Sequence, residues 1–165
     1  MRISRRVCLG ALIAITLWPC MVFAGVQVGR VVKVYDGDTL TLLTPKNRQL
    51  KIRLSEIDTP ELGQPYGRQA KIGLSDLVFG KAVTVNVQEK DRYGRYVGRV
   101  YVDNVDVNAD MVRRGAAWVY RQYATDTSLY LLESQAKKAR LGLWGISESA
   151  HVAPWEWRRM KRDKK

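Results

Sequence analysis

The strongest constraint on the fold of this chain is the order of its apolar runs. Val26, Val28, Val31, Val32 and Val34, then Leu40, Leu42 and Leu43, then Leu50, Ile52 and Leu54, form short segments separated by Asp36-Gly37-Asp38 and Pro45-Lys46-Asn47. Short apolar runs bounded by turn residues read as strands, so this stretch predicts a meander of three. From Pro65 the period changes, and Ala70, Leu74, Leu77 and Val78 make one stripe of an amphipathic helix that stops at Gly80. Val83, Val85 and Val87 alternate again, and beyond the Lys90 to Gly94 turn the run Tyr96 to Val102 supplies a fifth strand. Five short strands with one helix between the third and fourth is the order of an OB-fold Greek-key barrel, an α+β fold that is mainly β. Two further helices follow. Asn108 to Arg114 ends at Gly115, which suits a left-handed cap, and Leu129, Leu132, Ala136, Ala139 and Leu143 recur at helical spacing.

The 165 residues are 46% hydrophobic and 27% charged, enough for one domain with a real core. Arg2, Arg5 and Arg6 precede an apolar run from Val7 to Trp18, and Val22-Phe23-Ala24 places small residues where a signal peptidase reads. A signal peptide over 1–24, cleaved after Ala24, is therefore expected, with the OB-fold domain over 25–150 and a basic tail over 151–165. The apolar run is shorter than a membrane span, so no transmembrane segment is expected after cleavage, although an uncleaved anchor is the competing reading. A lipid attachment at Cys20 fits less well, because Trp18 and Pro19 stand where small residues belong.

The formal charge of +12 less the three leader arginines leaves +9 on the mature chain, and both cysteines leave with the leader. A basic exported protein suggests a polyanionic partner, whether nucleic acid, anionic lipid or envelope polymer. With His151 as the one histidine, the chain cannot build a zinc finger, a histidine-pair acid/base site or a disulfide framework. Its chemistry must rest on carboxylates, hydroxyls and arginines.

Three stretches carry such groups. In Tyr35-Asp36-Gly37-Asp38-Thr39, two acids flank a glycine at a strand boundary, an arrangement that serves either a hard cation or a plain Asp-Gly turn. In Ser55-Glu56-Ile57-Asp58-Thr59-Pro60-Glu61, Asp58 and Glu61 stand three apart around a proline. They can place one carboxylate on a metal and the other beside a water, or they can form a helix start with Thr59 as its cap. The third stretch is Asp91-Arg92-Tyr93-Gly94-Arg95. It is joined by Arg53, which interrupts Ile52 and Leu54 and so faces away from them. A guanidinium fork beside carboxylates suits a phosphate, while a solvated surface arginine is the simpler alternative.

Together, Asp-Gly-Asp-Thr at 36–39, Arg53 before Leu54, Asp-Thr-Pro-Glu at 58–61 and Tyr-Gly-Arg at 93–95 resemble the staphylococcal nuclease (thermonuclease) family, in its order and at similar separations. The likeness runs from about Val28 to Trp144. It implies a five-stranded OB barrel with three helices, in agreement with the order read above. It also implies that Asp38 and Asp58 bind Ca²⁺ through their carboxylates and Thr59 through its backbone carbonyl. Glu61 would be the general base, or would orient the attacking water. Arg53 and Arg95 would bind the phosphate and stabilise the charge that develops on it, and Arg92, Tyr93 and Tyr123 would meet the substrate. The substrates implied are DNA and RNA, cut without sequence preference to 3′-phosphorylated ends.

The residues themselves support this chemistry. A phosphodiester anion repels hydroxide until cationic groups neutralise it, and only then can a carboxylate usefully deliver water. The chain departs from the family at Leu62 to Tyr66, which is shorter than the lysine-rich loop of the best-known member. Arg92 stands where that member has a lysine, and within Trp118 to Tyr123 only Tyr123 aligns directly. Trp118 is expected to be core, His151 a surface or packing residue, and Trp155 and Trp157 to pack on the barrel. The six basic residues in the last eight read as a flexible arm that binds nucleic acid, or as a solubilising terminus. The chain is read as a monomer with no stable protein partner. The rival functional reading is a catalytically silent nuclease-like module that only binds nucleic acid, and a second is a basic envelope-binding protein.

Overall fold

The computed structural model describes residues 25–163. The expected signal peptide and its cleavage after Ala24 lie outside the described residues. Strand β1 (Gly25–Val34) pairs antiparallel with β2 (Thr39–Leu43), with a bulge between Val31 and Lys33. β2 pairs antiparallel with β3 (Gln49–Leu54), which sets Thr39 opposite Arg53. A two-residue strand, β4 (Ile57–Asp58), precedes helix α1 (Gly67–Val78). β5 (Ala82–Lys90) then pairs with β1, and β6 (Tyr96–Val102) pairs with β5. The parallel pairing of β3 with β6, Arg53 opposite Val97, closes the five long strands into a barrel. The expected barrel, with its single helix between the third and fourth strands, is the observed one.

Alternation drives this closure. Ile52 and Leu54 are buried in the barrel, as are Leu40, Leu42, Val85 and Val100 from neighbouring strands, and Leu74 of α1 caps the same core. Each such side chain contributes about 1.5–3 kcal/mol on leaving water. Arg53, between Ile52 and Leu54, is turned to the barrel's outer side by the two-residue period of the strand.

Beyond a short β7 (Val105–Asp106), helix α2 (Val107–Arg113) is capped by the Asp106 carboxylate, which accepts the Ala109 N–H at 2.9 Å. Gly115, at φ 66°, follows its end as the left-handed residue anticipated there. β8 (Trp118–Val119) pairs antiparallel with β4, placing Trp118 opposite Asp58. Helix α3 (Ser128–Lys138) and 3₁₀ turns at Gly142–Gly145 and Glu148–Ala150 lead to the last helix, α4 (Pro154–Asp163).

Helix α4 corrects the reading of the C-terminus. The segment expected to be a flexible arm or a solubilising end is a docked helix, a fourth beside the three the resemblance implied. Pro154 occupies its first turn, where a missing N–H costs nothing. The Trp155 ring stacks on Tyr120, with centroids 5.3 Å apart and planes within 5°, and meets Trp118 edge-on at 5.9 Å. Trp118 is half-buried, packing edge-on against Trp144 at 4.4 Å, and His151 packs on Trp144 in turn at 5.6 Å. Among the described residues no helix is long and apolar enough to cross a membrane.

Candidate active site

The acidic stretches converge on Arg53. Asp38 leaves the β1–β2 turn buried, where its Oδ2 accepts the Thr59 N–H at 2.9 Å and the Thr59 hydroxyl at 2.8 Å. That turn is closed by Asp36, whose Oδ1 accepts the Asp38 N–H at 3.1 Å, so Asp36 holds the backbone of its neighbour. Asp58 projects from β4 and is 1% exposed. The Arg53 guanidinium bridges the two acids, Nη1 pairing with Asp38 Oδ1 and Nη2 donating to Asp58 Oδ1 at 2.8 Å. Segments twenty residues and more apart in sequence thus meet around one planar cation. Thr59 does not start a helix: α1 begins at Gly67, after Tyr66 in the left-handed region at φ 69°.

Burial lowers the Arg53 pKa. Asp58 opposes this with its charge and hydrogen bond, while Arg95 lowers it further. Arg95 therefore lies near enough for the two guanidinium charges to repel, a focus of positive potential that an anion would relieve. Arg95 is held by Asp91, whose Oδ2 accepts from Nε at 2.7 Å while Oδ1 accepts the Arg95 N–H at 2.9 Å. Burial alone would raise the Asp91 pKa, but these donors outweigh it and hold it below the ordinary value.

Glu61 sits at the mouth of the site. Its N–H donates to Gln64 Oε1 at 3.2 Å, and Gln64 Nε2 in turn donates to the Val152 carbonyl, fastening this turn to the segment before α4. A Cβ at Gly67 would lie 1.8 Å from the Glu61 carbonyl oxygen, so only glycine allows this close turn. The Glu61 carboxylate accepts from Arg158 Nη1 at 2.7 Å, and Arg158 Nη2 reaches Asp58 Oδ2 at 2.6 Å. Burial lowers the Arg158 pKa, but its bonds to Asp58 and Glu61 outweigh that and raise it above the ordinary arginine value.

The remaining expected residues are less integrated. Arg92 is exposed, with Nη2 donating to the Tyr93 hydroxyl at 2.9 Å. Tyr93 is 70% exposed, with the Arg95 guanidinium 5.6 Å from its ring centre. Tyr123 is 56% exposed and meets Tyr120 edge-on at 4.8 Å, which links it to α4 rather than to the carboxylates.

Two residues that the sequence reading did not place at the site complete the frame. Glu56, at φ 64°, is buried; its Oε1 accepts the Thr125 N–H at 2.7 Å and the Asp126 N–H at 2.9 Å, and Oε2 accepts from Arg99 at 3.0 Å. It ties the loop after β8 to the strand that carries Asp58. Arg158 is the other, and its only sequence signal is a tryptophan-flanked start to the basic run.

Among the described residues no three acidic, histidine or cysteine side chains form a ready-made metal cage. The ligand atoms present are hard oxygens: two carboxylates on one guanidinium, with the Thr59 N–H and hydroxyl bonded to Asp38. That set fits a hard cation completed by water, and it does not fit a metal that demands nitrogen or sulfur ligands.

A closed five-stranded barrel thus carries buried carboxylates and arginines together on one flank. A family model described as "Staphylococcal nuclease homologue" matches residues 51–146. An uncharacterized endonuclease of Escherichia coli O157:H7 is 48% identical over 134 residues, spanning 81% of this chain and 86% of that protein. The micrococcal nuclease of Shigella flexneri is 42% identical over 147 residues, 82% of each chain. A probable staphylococcal-like nuclease of Oryza sativa subsp. japonica is 45% identical over 116 residues, 70% of this chain but 34% of the plant protein. The chain belongs to the staphylococcal nuclease family and is a nuclease, with nucleic acid as its substrate.

Proposed function

We propose that this protein is an exported, Ca²⁺-dependent, sequence-nonspecific endonuclease that cleaves DNA and RNA to 3′-phosphorylated products and works as a monomer. The observation that carries the reading is the Arg53 guanidinium held between Asp38 and Asp58, which joins a phosphate-binding group to two hard-cation ligands. Asp38, Asp58 and the Thr59 carbonyl would hold the Ca²⁺. Bound there, the ion would supply Lewis-acid neutralisation of a phosphate oxygen.

The chain's own residues do the rest. Arg53 and Arg95 bind the scissile phosphate and meet the charge that grows on it in the five-coordinate transition state. Being already fixed by Asp58 and Asp91, they need no reorganisation as that charge forms. Glu61 takes a proton from the attacking water or orients it, and its position at the open side of the site gives water access. Arg92, Tyr93 and Tyr123 would bind the flanking nucleotide, with stacking on an exposed ring contributing about 1–3 kcal/mol per base. The leader pattern over 1–24 supports export.

The test is cleavage of single- and double-stranded DNA and of RNA by the purified protein, with Ca²⁺ or with a chelator. Ca²⁺-dependent release of 3′-phosphorylated fragments is expected. Binding without cleavage would favour the silent module. Glu61→Gln should lose most turnover while retaining nucleic-acid affinity, and wild-type rates would remove Glu61 from its role.

A further inference from the structure

Arg158 touches the proposed machinery at more points than any role so far given to it requires. Its guanidinium lies 2.6 Å from Asp58 Oδ2, 3.2 Å from Asp58 Oδ1 and 2.7 Å from Glu61 Oε1. One positive group therefore spans the carboxylate proposed to hold a cation and the carboxylate proposed to serve water. It neutralises a buried Asp58 in the free protein. It also stands where a second cation at Asp58 would be repelled by it, since like charges at contact distance strongly disfavour each other.

The side chain has somewhere else to go. It is 36% exposed and rises from a helix whose outer face adds Lys161 and Arg162. With Glu61 and Trp157, these three residues line a cleft of about 320 Å³ that opens beside the general base. A phosphodiester held by Arg53 and Arg95 would bring negative charge to that opening, and a guanidinium fork is the side chain best matched to phosphate oxygens. The base of α4 stays anchored through Trp155 on Tyr120 and through Gln64 on Val152, so the exchange needs only the arginine side chain to swing.

We propose that Arg158 is a third phosphate-binding arginine of this nuclease, held on Asp58 and Glu61 in the free protein and passed to a substrate phosphate once Asp58 is given over to a divalent cation. The proposal rests on the metal-dependent reading above. It makes the bound metal and Arg158 competitors for Asp58, and metal and nucleic acid cooperative, each raising the other's affinity by the same factor.

The experiment is calorimetric titration of the full chain with Ca²⁺ alone, for wild type, Arg158→Ala and Arg158→Lys. It is paired with fluorescence anisotropy of a cleavage-resistant phosphorothioate oligonucleotide in saturating Ca²⁺. Arg158→Ala should bind Ca²⁺ on the order of tenfold more tightly and the oligonucleotide on the order of tenfold more weakly, each about 1.4 kcal/mol. Arg158→Lys, which keeps the charge without the fork, should fall between and controls for any loss of fold. A wild type that binds Ca²⁺ with the same affinity as Arg158→Ala would overturn the exchange alone, as would an unchanged oligonucleotide affinity. A wild type that binds no Ca²⁺ overturns the reading of the metal site and the exchange with it.

Discussion

Arg53 Nη2 donates to Asp58 Oδ1 at 2.8 Å, and the other arm of the same guanidinium pairs with Asp38. The barrel wall and the strand added outside it are thereby joined through a charge that both acids need. Asp58 is almost wholly buried and Arg53 is 12% exposed at its side chain, so neither can fall back on water if the other is lost. The contact is structural, and under the proposed function chemical as well, so variants of it should show both effects.

Arg53→Ala should reduce kcat on the order of a hundredfold or more, the scale of removing one preorganised donor from a developing oxyanion. It should also destabilise the metal-free protein by about 3 kcal/mol, because the carboxylates are left buried with a partner missing. Steady-state kinetics and urea unfolding in chelator measure the two. A kcat within a fewfold of wild type would remove Arg53 from transition-state binding.

Gly67→Ala should act on Glu61 at a distance. The added Cβ would overlap the Glu61 carbonyl oxygen, 1.8 Å away, so the turn must shift. A stability loss of about 1–3 kcal/mol is expected from such overpacking, with a fall in kcat that exceeds the change in KM. Calorimetric melting together with kinetics checks this. An unchanged kcat would show that the carboxylate tolerates movement of its own backbone.

Acid stability should depend on Glu56. Burial raises its pKa, but the N–H groups of Asp126 and Thr125, the Thr125 hydroxyl and the Arg99 charge together bring it below its ordinary 4.5. Its stabilising contribution is therefore complete above pH 4.5 and is lost as pH falls through the lower folded value. Glu56→Gln should flatten that acid limb and reduce stability at neutral pH by about 1–3 kcal/mol, the cost of donors left unpaired. Urea midpoints at several pH values below and above 4.5 test it. Parallel curves for the two proteins would count against the assignment.

Asn108→Ala should weaken the join between α2 and the barrel. The fully buried amide accepts the Val100 N–H at 3.0 Å and donates to the Ser55 carbonyl at 2.9 Å, tying β6 to the segment that leads into Asp58. About 1–3 kcal/mol of stability should be lost for each backbone group left without a partner. Chemical unfolding measures the loss, and a change under 0.5 kcal/mol, about the scatter of ordinary surface substitutions, would show that the amide is dispensable.

The barrel was legible in the sequence because strands such as β3 and β5 keep a two-residue alternation over five positions, as Val83, Val85 and Val87 or Leu50, Ile52 and Leu54 show. The carboxylates were legible because Gly37 and Pro60 mark the turns beside them, and Arg53 because it interrupts the apolar period of β3. β4 and β8 were not, since strands of two residues are too short to display any period. Nor was the left-handed backbone at Glu56, where a carboxylate rather than a glycine takes that conformation in order to capture N–H groups from Thr125 and Asp126. Arg158 was hidden for another reason. A run of basic residues near a terminus carries no sign of its partner, and here the partner Asp58 lies 100 positions earlier.

The placement of the indole rings has a practical consequence. The chain has 5 tryptophans, and none lies on the five long strands. Trp118, Trp144 and Trp155 interlock where α4 docks, and Trp157 lies within α4 itself. Among the described residues every tryptophan therefore sits at or beside the seat of the last helix, and the long strands carry tyrosines such as Tyr96 and Tyr101 instead. Within residues 25–163, tryptophan emission can therefore follow lifting of the helix without attaching a dye.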